Sequence, residues 1–349
     1  MKYNYNWTLK DAIFTKDKGT VFSCFACGGG STMGYKLAGF DVIGFNEIDP
    51  KMAKCYIKNH NPKYSFIEPI QIFKNRDDLP KELYNLDILD GSPPCSSFSI
   101  AGNREKDWGK NKKFREGQKE QVLDTLFFDF IDLAKRLQPK IIVAENVKGL
   151  LLGKAKKYVT KILNEFNNAG YKVTYKLLNA SLMGVPQKRE RVFFIAVRND
   201  LKYETIDLFG NEPFIDLEFN YNRIIFKEIK SDINNENLSP KIKLLWRNRV
   251  EKDFDMSCTS NRLFGKLNSF FSYNYIKDYS VCNTIVAKDC NVLYSDARYL
   301  CDGELLKIGS FPTDYNFLNN KVCYLVGMSV PPVMMANIVD RIYNQWLKK

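Results

Sequence analysis

The sequence predicts an α/β chain, a doubly wound and mostly parallel sheet with a second, smaller domain. Three observations predict it. Apolar runs of strand length alternate with helical patterns from residue 20 to residue 197. A glycine turn follows the first run, and an acid stands about 20 residues past the glycines. Beyond Asn199 the alternation stops.

Val21-Phe22-Ser23-Cys24-Phe25 is the first strand. It enters Ala26-Cys27-Gly28-Gly29-Gly30-Ser31-Thr32-Met33-Gly34, then a helical stretch to Gly39. Val42-Ile43-Gly44-Phe45 is the second strand, ending in Asn46-Glu47-Ile48-Asp49. Such a βαβ unit binds an adenosine-containing cofactor: glycines admit the ligand to the backbone, and the acid accepts ribose hydroxyls. Leu86 to Leu89 is a strand leading to Asp90-Gly91-Ser92-Pro93-Pro94-Cys95. Residues 121–137 read as a helix with Leu126, Phe127, Phe130, Ile131 and Ala134 on one face, stopped by Pro139. Ile141 to Ala144 is a buried strand ending in Glu145-Asn146. A helix near 154–169 ends at Gly170, and strands follow at 171–178 and 191–197.

Residues 199–283 show no βα rhythm, and their charge is polarised. Acids outnumber bases nine to four over 199–238. Over 239–277, Lys241, Lys243, Arg247, Arg249, Lys252, Arg262, Lys266 and Lys277 face only Glu251, Asp253 and Asp255. Val330-Pro331-Pro332 then starts a helix through Met334, Ala336, Ile338 and Ile342. The expected domains are 1–198 with 316–349, and a small domain at 199–315.

Composition narrows the chemistry. A chain of 349 residues needs no disulfide staples. The formal charge of +12 suits a polyanion, or equally a solubility role of lysine. No apolar run approaches the ~20 residues of a membrane span and the N-terminus reads as no signal peptide, so a cytoplasmic monomer is expected. The nine Cys are scattered and odd in number, as free thiols in a reducing compartment are. Cys24-x-x-Cys27 reads as part of the glycine turn rather than a redox or metal pair, and no metal site is expected. The single His60 sits in Lys58-Asn59-His60-Asn61-Pro62, which reads as an exposed polar turn. Acid–base work therefore falls to carboxylates, Lys, Tyr or Cys.

Ser92-Pro93-Pro94-Cys95-Ser96-Ser97-Phe98-Ser99 follows a strand directly. Its two prolines fix φ and present one thiol rigidly at the sheet edge, as a nucleophile requires. Glu145 ends a neighbouring strand, where a carboxylate can protonate a ring nitrogen. Gln187-Lys188-Arg189-Glu190-Arg191 puts Arg189 and Arg191 on one face of an extended segment, placed to hold a base oxygen and a phosphate.

In linear order the chain resembles the cytosine-C5 DNA methyltransferase family of bacterial or phage type, over nearly its whole length. The matching residues are Phe25-Ala26-x-x-Gly29-Gly30, Asn46-Glu47-x-Asp49, Pro93-Pro94-Cys95-x-x-Phe98-Ser99 and Thr125-Leu126-Phe127-Phe128. Next come Glu145-Asn146-Val147, Gln187-x-Arg189-x-Arg191 and Thr284-Ile285. Arg298-x-Leu300 with Glu304, Phe311-Pro312-x-x-Tyr315 and Gly327-x-Ser329-Val330-Pro331-Pro332 complete the set. The resemblance implies an S-adenosylmethionine-dependent, Rossmann-like fold and a target-recognition domain before the C-terminal motifs. It implies cofactor contacts from Phe25, Ala26, Gly28, Gly29, Gly30, Glu47, Ile48, Ile70, Pro94, Leu126, Ser329 and Val330. Cys95 would be the nucleophile and Glu145 the acid at cytosine N3. Arg189 and Arg191 would hold the flipped cytidine or order the Cys95 loop. Four positions depart from the family pattern: Ser23, Cys27, Pro69 beside Glu68, and Met328.

The chemistry explains these residue types. Cytosine C5 is a poor nucleophile until a thiolate adds at C6, and protonation at N3 offsets the charge pushed into the ring. That acid needs a pKa raised by burial. Methyl transfer, loss of the C5 proton and elimination of Cys95 follow. The base must leave the duplex to react, and the Lys/Arg-rich stretch 103–119 is expected to be a mobile loop closing over DNA. Expected DNA contacts are Ser97, Arg104, Lys112 and Arg115 around that loop, with Arg247, Arg249 and Thr284 beyond it. The partner is double-stranded DNA, in a restriction-modification or phage protection setting where a cognate endonuclease acts separately. The alternative is a transfer RNA cytosine methyltransferase. A silent DNA-binding module leaves Cys95 and Glu145 without a purpose. A nicotinamide-dependent dehydrogenase leaves Pro-Pro-Cys unexplained.

Overall fold

The computed structural model describes residues 2–94, 111–112, 121–122, 125–206, 212–233, 236–265, 270, 272–288 and 290–348. Cys95, Ser97, Arg104, Arg115 and most of 103–119 lie outside the described residues, as does the Lys112 side chain.

Seven strands form the main sheet: β1 (Thr20–Cys24), β2 (Asp41–Asn46), β3 (Tyr64–Phe66), β4 (Ile88–Gly91), β5 (Ile141–Val147), β6 (Tyr171–Asn179) and β7 (Glu190–Arg198). Their spatial order is β3-β2-β1-β4-β5-β7-β6. The first five pair in parallel, and β7 runs antiparallel to both β5 and β6. The sheet is thus doubly wound and mostly parallel, as expected. Because β1 lies between β2 and β4, the winding reverses there, and the crevice at a reversal is where such sheets bind ligands.

The helices are α1 (Gly30–Leu37), α2 (Pro50–His60), α3 (Leu126–Leu137) and α4 (Lys156–Asn168) on the sheet, with α5 (Pro240–Arg247), α6 (Met256–Phe264), α7 (Asp302–Ile308), α8 (Val322–Met328) and α9 (Pro332–Ile342) following. Asp49 caps α2 by accepting from the Lys51 and Met52 amides, with Pro50 at the first position. Two expectations fail here. The helix expected from residue 121 starts at Leu126, because Gln121–Val122 pairs antiparallel with Asn111–Lys112. His60 is no exposed turn residue: it closes α2 and is 6 % exposed. Asn61, left-handed at φ 44°, and Pro62 are the stop signal, so the helix runs through the histidine.

The chain divides into two compact units. One comprises Ile13–Asn179, Glu190–Phe219 and Met334–Lys349, and contains the main sheet. Its core joins Phe22, Leu89, Phe127, Phe130, Ile142, Phe166 and Phe194. The other comprises Met1–Ala12, Ala180–Arg189 and Asn220–Val333. Its helices α5 and α6 bury Ile242, Leu245 and Met256 with Tyr275 and Val292. These bounds differ from the expected 1–198 with 316–349 and 199–315. In the second unit, Arg298 and Glu304 form a buried pair at 2.8 Å. Burial alone would raise the Glu304 pKa, but Arg298 and the Ser231 and Cys301 amides outweigh it and hold it low.

The run Val322–Leu347 is apolar and long enough to span a membrane, contrary to the sequence reading. Its most apolar window is 83 % buried within the structure, as a core helix requires.

Candidate active site

The turn after β1 is built from unusual backbone. Phe25, Cys27 and Gly29 take positive φ of 54°, 46° and 81°. The Ala26 amide donates to the Asn46 carbonyl, and the Gly29 amide closes the turn on the Ala26 carbonyl at 2.8 Å. Glu47, just past β2, is buried and stitches this turn to the next helix. Its Oε2 accepts from the Cys27 amide at 2.7 Å and its Oε1 from the Asp49 amide at 2.8 Å. Burial is the largest influence on Glu47 and raises its pKa, against the amide bonds. A carboxylate has about four acceptor sites, so capacity remains for a hydroxyl donor. Burial pushes the thiols of Cys24, Cys27 and Cys282 well up, so they stay protonated. That leaves Cys27 a turn residue.

Of the expected cofactor contacts, Ala26, Gly28, Gly29, Gly30, Glu47, Ile70 and Leu126 are buried, while Phe25, Ile48 and Pro94 are partly exposed. All belong to the unit with the main sheet. Ser329 and Val330 belong to the other unit, in the link between α8 and α9. Glu68, beside Pro69, is turned to Arg76 at 3.2 Å.

At the end of β5, alternation separates two neighbours. Glu145 is 9 % exposed and pairs with Arg191 Nε at 2.9 Å. The register puts Glu145 opposite Phe193, so Arg191 is its diagonal neighbour on one sheet face. Burial lowers the Arg191 pKa, and Glu145 opposes that shift. Asn146 points the other way, and its Nδ2 donates to the Pro93 carbonyl at 3.2 Å. Asn146 thereby holds the Pro93-Pro94 segment directly before Cys95.

Arg189 does not join Arg191. It is 2 % exposed and donates to the Ile285 carbonyl at 3.3 Å and the Gly327 carbonyl at 3.0 Å. Gln187 assists by donating to the Ile308 carbonyl and accepting from the Ile285 amide. A Cβ on Gly327 would meet the Ala287 amide at 2.5 Å, so that strap packs backbone to backbone. Thr284 Oγ1 donates to the Lys188 carbonyl at 2.5 Å. Arg247 is exposed. Arg249 is engaged: its guanidinium lies 3.7 Å from the Trp246 ring centroid and 4.6 Å from that of Tyr294, and it donates to both their carbonyls.

Sequence reasoning missed a buried network under the crevice. Asp90, at the end of β4, accepts from Ser23 Oγ at 2.7 Å and from Tyr35 OH at 3.2 Å. Ser23 is one of the four departures, and pairing with Asp90 is what it does here. Burial pushes the Asp90 carboxyl up to about 7, helped by the charge of Glu145. Unfolded, it would ionise near the ordinary 3.8. Its contribution to stability is thus present below pH ~4 and lost as pH rises through ~7. Asp90→Asn keeps an acceptor for Ser23 and is expected to be the more stable protein at pH 8.5, by about 1–3 kcal/mol, with the difference shrinking towards pH 5. Thermal unfolding at both pH values checks this.

The chain matches the family model for C-5 cytosine-specific DNA methylase over residues 19–344. It is 28 % identical over 344 residues to the Type II methyltransferase M1.HphI of Haemophilus parahaemolyticus, covering 93 % of this chain and 86 % of that protein. It is 39 % identical over 188 residues to the Type II methyltransferase M.FnuDI of Fusobacterium nucleatum, where the match spans 54 % of this chain and about half, 49 %, of the relative. Among solved structures, the Spodoptera frugiperda DNMT2 mutant superposes with a TM-score of 0.63 at 16 % identity, covering 93 % of this chain and 99 % of that one. Schizosaccharomyces (S. pombe) Dnmt2 methyltransferase superposes at 0.58 and 15 % identity, covering 92 % and 97 %. At these identities the likeness speaks for the fold. With the family model matched along nearly the whole chain, the protein belongs to the C-5 cytosine-specific DNA methylase family.

Proposed function

We propose that the chain methylates cytosine C5 in double-stranded DNA, with S-adenosylmethionine as the methyl donor. The observation that carries this is the end of β5: a buried Glu145 fixed by Arg191 at 2.9 Å, beside an Asn146 that holds the Pro93 carbonyl two residues before Cys95. Adjacent residues of one strand thus supply the acid and hold the segment that precedes Cys95 in sequence. The residues fit the donor: Glu47, buried beside the glycine turn, offers spare acceptor capacity to ribose hydroxyls. When bound, S-adenosylmethionine supplies an electrophilic methyl group.

The protein residues then have these tasks. Cys95 adds to C6 of the flipped base, and Glu145 places a proton at N3, so that C5 gains nucleophilic character. Arg191 keeps the Glu145 carboxyl aimed. After C5 has lost its proton to a base, the Cys95 thiolate is expelled and the ring regains its aromaticity. Arg189, tied to two backbone carbonyls, positions the Thr284-Ile285 and Gly327 segments and does not meet the base. The unit containing 220–333 is proposed to recognise the target sequence, with exposed Arg247 facing phosphate. The 103–119 loop is proposed to close over DNA. We place the enzyme in the cytoplasm as a monomer. The relatives include Type II methyltransferases and an orphan methyltransferase of Bacillus phage SPR, and a cognate endonuclease, where present, is proposed to act as a separate protein.

The test is labelled S-adenosylmethionine with duplex DNA or transfer RNA. Label in duplex cytosine C5 supports the proposal. Label in RNA alone would replace it with the transfer RNA reading.

A further inference from the structure

The one histidine of the chain has no part in the chemistry above, yet its side chain is buried. His60 is 6 % exposed and lies directly behind the glycine turn. A Cβ on Gly29 would come within 2.7 Å of His60 Cδ2, closer still to Nε2, and within 3.2 Å of Tyr56 Cδ2. The Gly28 backbone also lies beside the imidazole. Behind it, the ring packs on Tyr56 with centroids 4.6 Å apart, and Tyr56 stacks on Phe45 of β2 at 4.1 Å. The Tyr56 hydroxyl lies 2.9 Å from Thr32 Oγ1 in α1, and Lys36 of α1 donates to the His60 carbonyl at 3.1 Å. The ring therefore packs between the turn and Tyr56 of α2, and Tyr56 is in turn held by Phe45 of β2 and Thr32 of α1.

We propose that His60 is a positioning residue for the cofactor: its ring sets the backbone of the Gly28–Gly30 turn, and through it the affinity for S-adenosylmethionine. This rests on the reading of the crevice as the methyl donor's site. Burial, the largest cause, holds the imidazole pKa well below its ordinary value, and nearby Lys36 adds to that. A neutral ring is a rigid spacer. It brings no charge next to a cationic sulfonium.

The test is a double-mutant cycle on the full chain with Gly29→Ala and His60→Ala, read by calorimetric binding of S-adenosylhomocysteine. His60→Ala is expected to weaken binding about tenfold, and Gly29→Ala more. The rate at saturating cofactor and DNA stays within about twofold in His60→Ala, since the effect lies in ground-state binding. The decisive result is coupling: Gly29→Ala costs less affinity in the His60→Ala background, because the ring its methyl would strike is gone. His60→Gln, which keeps bulk and a donor, is expected to bind within about threefold of wild type, and it serves if His60→Ala does not fold. Unchanged affinity in His60→Ala, additive losses, or a Gln variant as weak as the Ala variant would overturn the inference alone. Wild-type protein that does not bind S-adenosylhomocysteine would overturn the cofactor reading and this inference with it.

Discussion

Cys95→Ala is expected to lose methyl transfer by a factor of about 10⁴ or more while retaining affinity for cofactor and duplex. The size of the loss follows from the reaction. Without a covalent bond at C6, the aromatic ring must present C5 to an electrophile unaided, and positioning recovers only part of the barrier. Four of the described thiols are poorly suited to take over. Burial holds Cys24, Cys27 and Cys282 protonated, and Cys258 is likewise shifted up. A duplex carrying 5-fluorocytosine at the target should trap wild-type protein covalently, because C5 then has no proton to lose. The Ala variant should form no such adduct, as a denaturing gel would show. Adduct formation by Cys95→Ala would move the nucleophile elsewhere.

Glu145→Gln carries the second large effect. The amide fills the same space and still offers Arg191 an oxygen, so the fold is preserved. It has no acidic proton for N3, and loss of a general acid costs about 10²–10⁴ in rate. Single-turnover transfer, with thermal unfolding measured alongside, separates this loss from instability. A rate within tenfold of wild type would remove Glu145 from the mechanism. Glu145→Ala is the less informative variant: it strands a buried guanidinium, at about 3–5 kcal/mol of stability.

The winding of the sheet was legible because its strands are short apolar runs bounded by Gly, Pro or acids, as in Val21–Cys24 with its glycine turn. The direction of β7 was not. Arg191 to Val197 is equally apolar whether its neighbours run with it or against it, and only the hydrogen-bond register makes β7 antiparallel to β5. His60 was misread because Asn61 and Pro62 are turn formers. Those same residues terminate helices, and residue type alone does not say which side of the stop a histidine occupies. Arg189 and Arg191 share parity, which in a continuous strand means one face. The extended segment is broken, however: Gln187–Lys188 pairs with Cys282–Asn283, while Glu190 begins pairing with Asn179. A charge count likewise registers Arg249 as a base and misses that two rings and two carbonyls occupy it.

That break between Arg189 and Glu190 bears on how such proteins can be recombined. Consecutive residues serve different bodies, one tied to Ile285 and Gly327, the other laddered into the main sheet. A chimaera that exchanges only 199–315 would take Asp216 away from Arg341, to which it is paired at 3.1 Å, and Phe214 away from the Trp346 indole that donates to it. Joints at Phe219/Asn220 and Val333/Met334 leave those contacts native. The incoming cassette must then carry its own carbonyls for the resident Arg189 and Gln187. The 220–333 cassette is therefore portable only with the backbone that those two side chains grip.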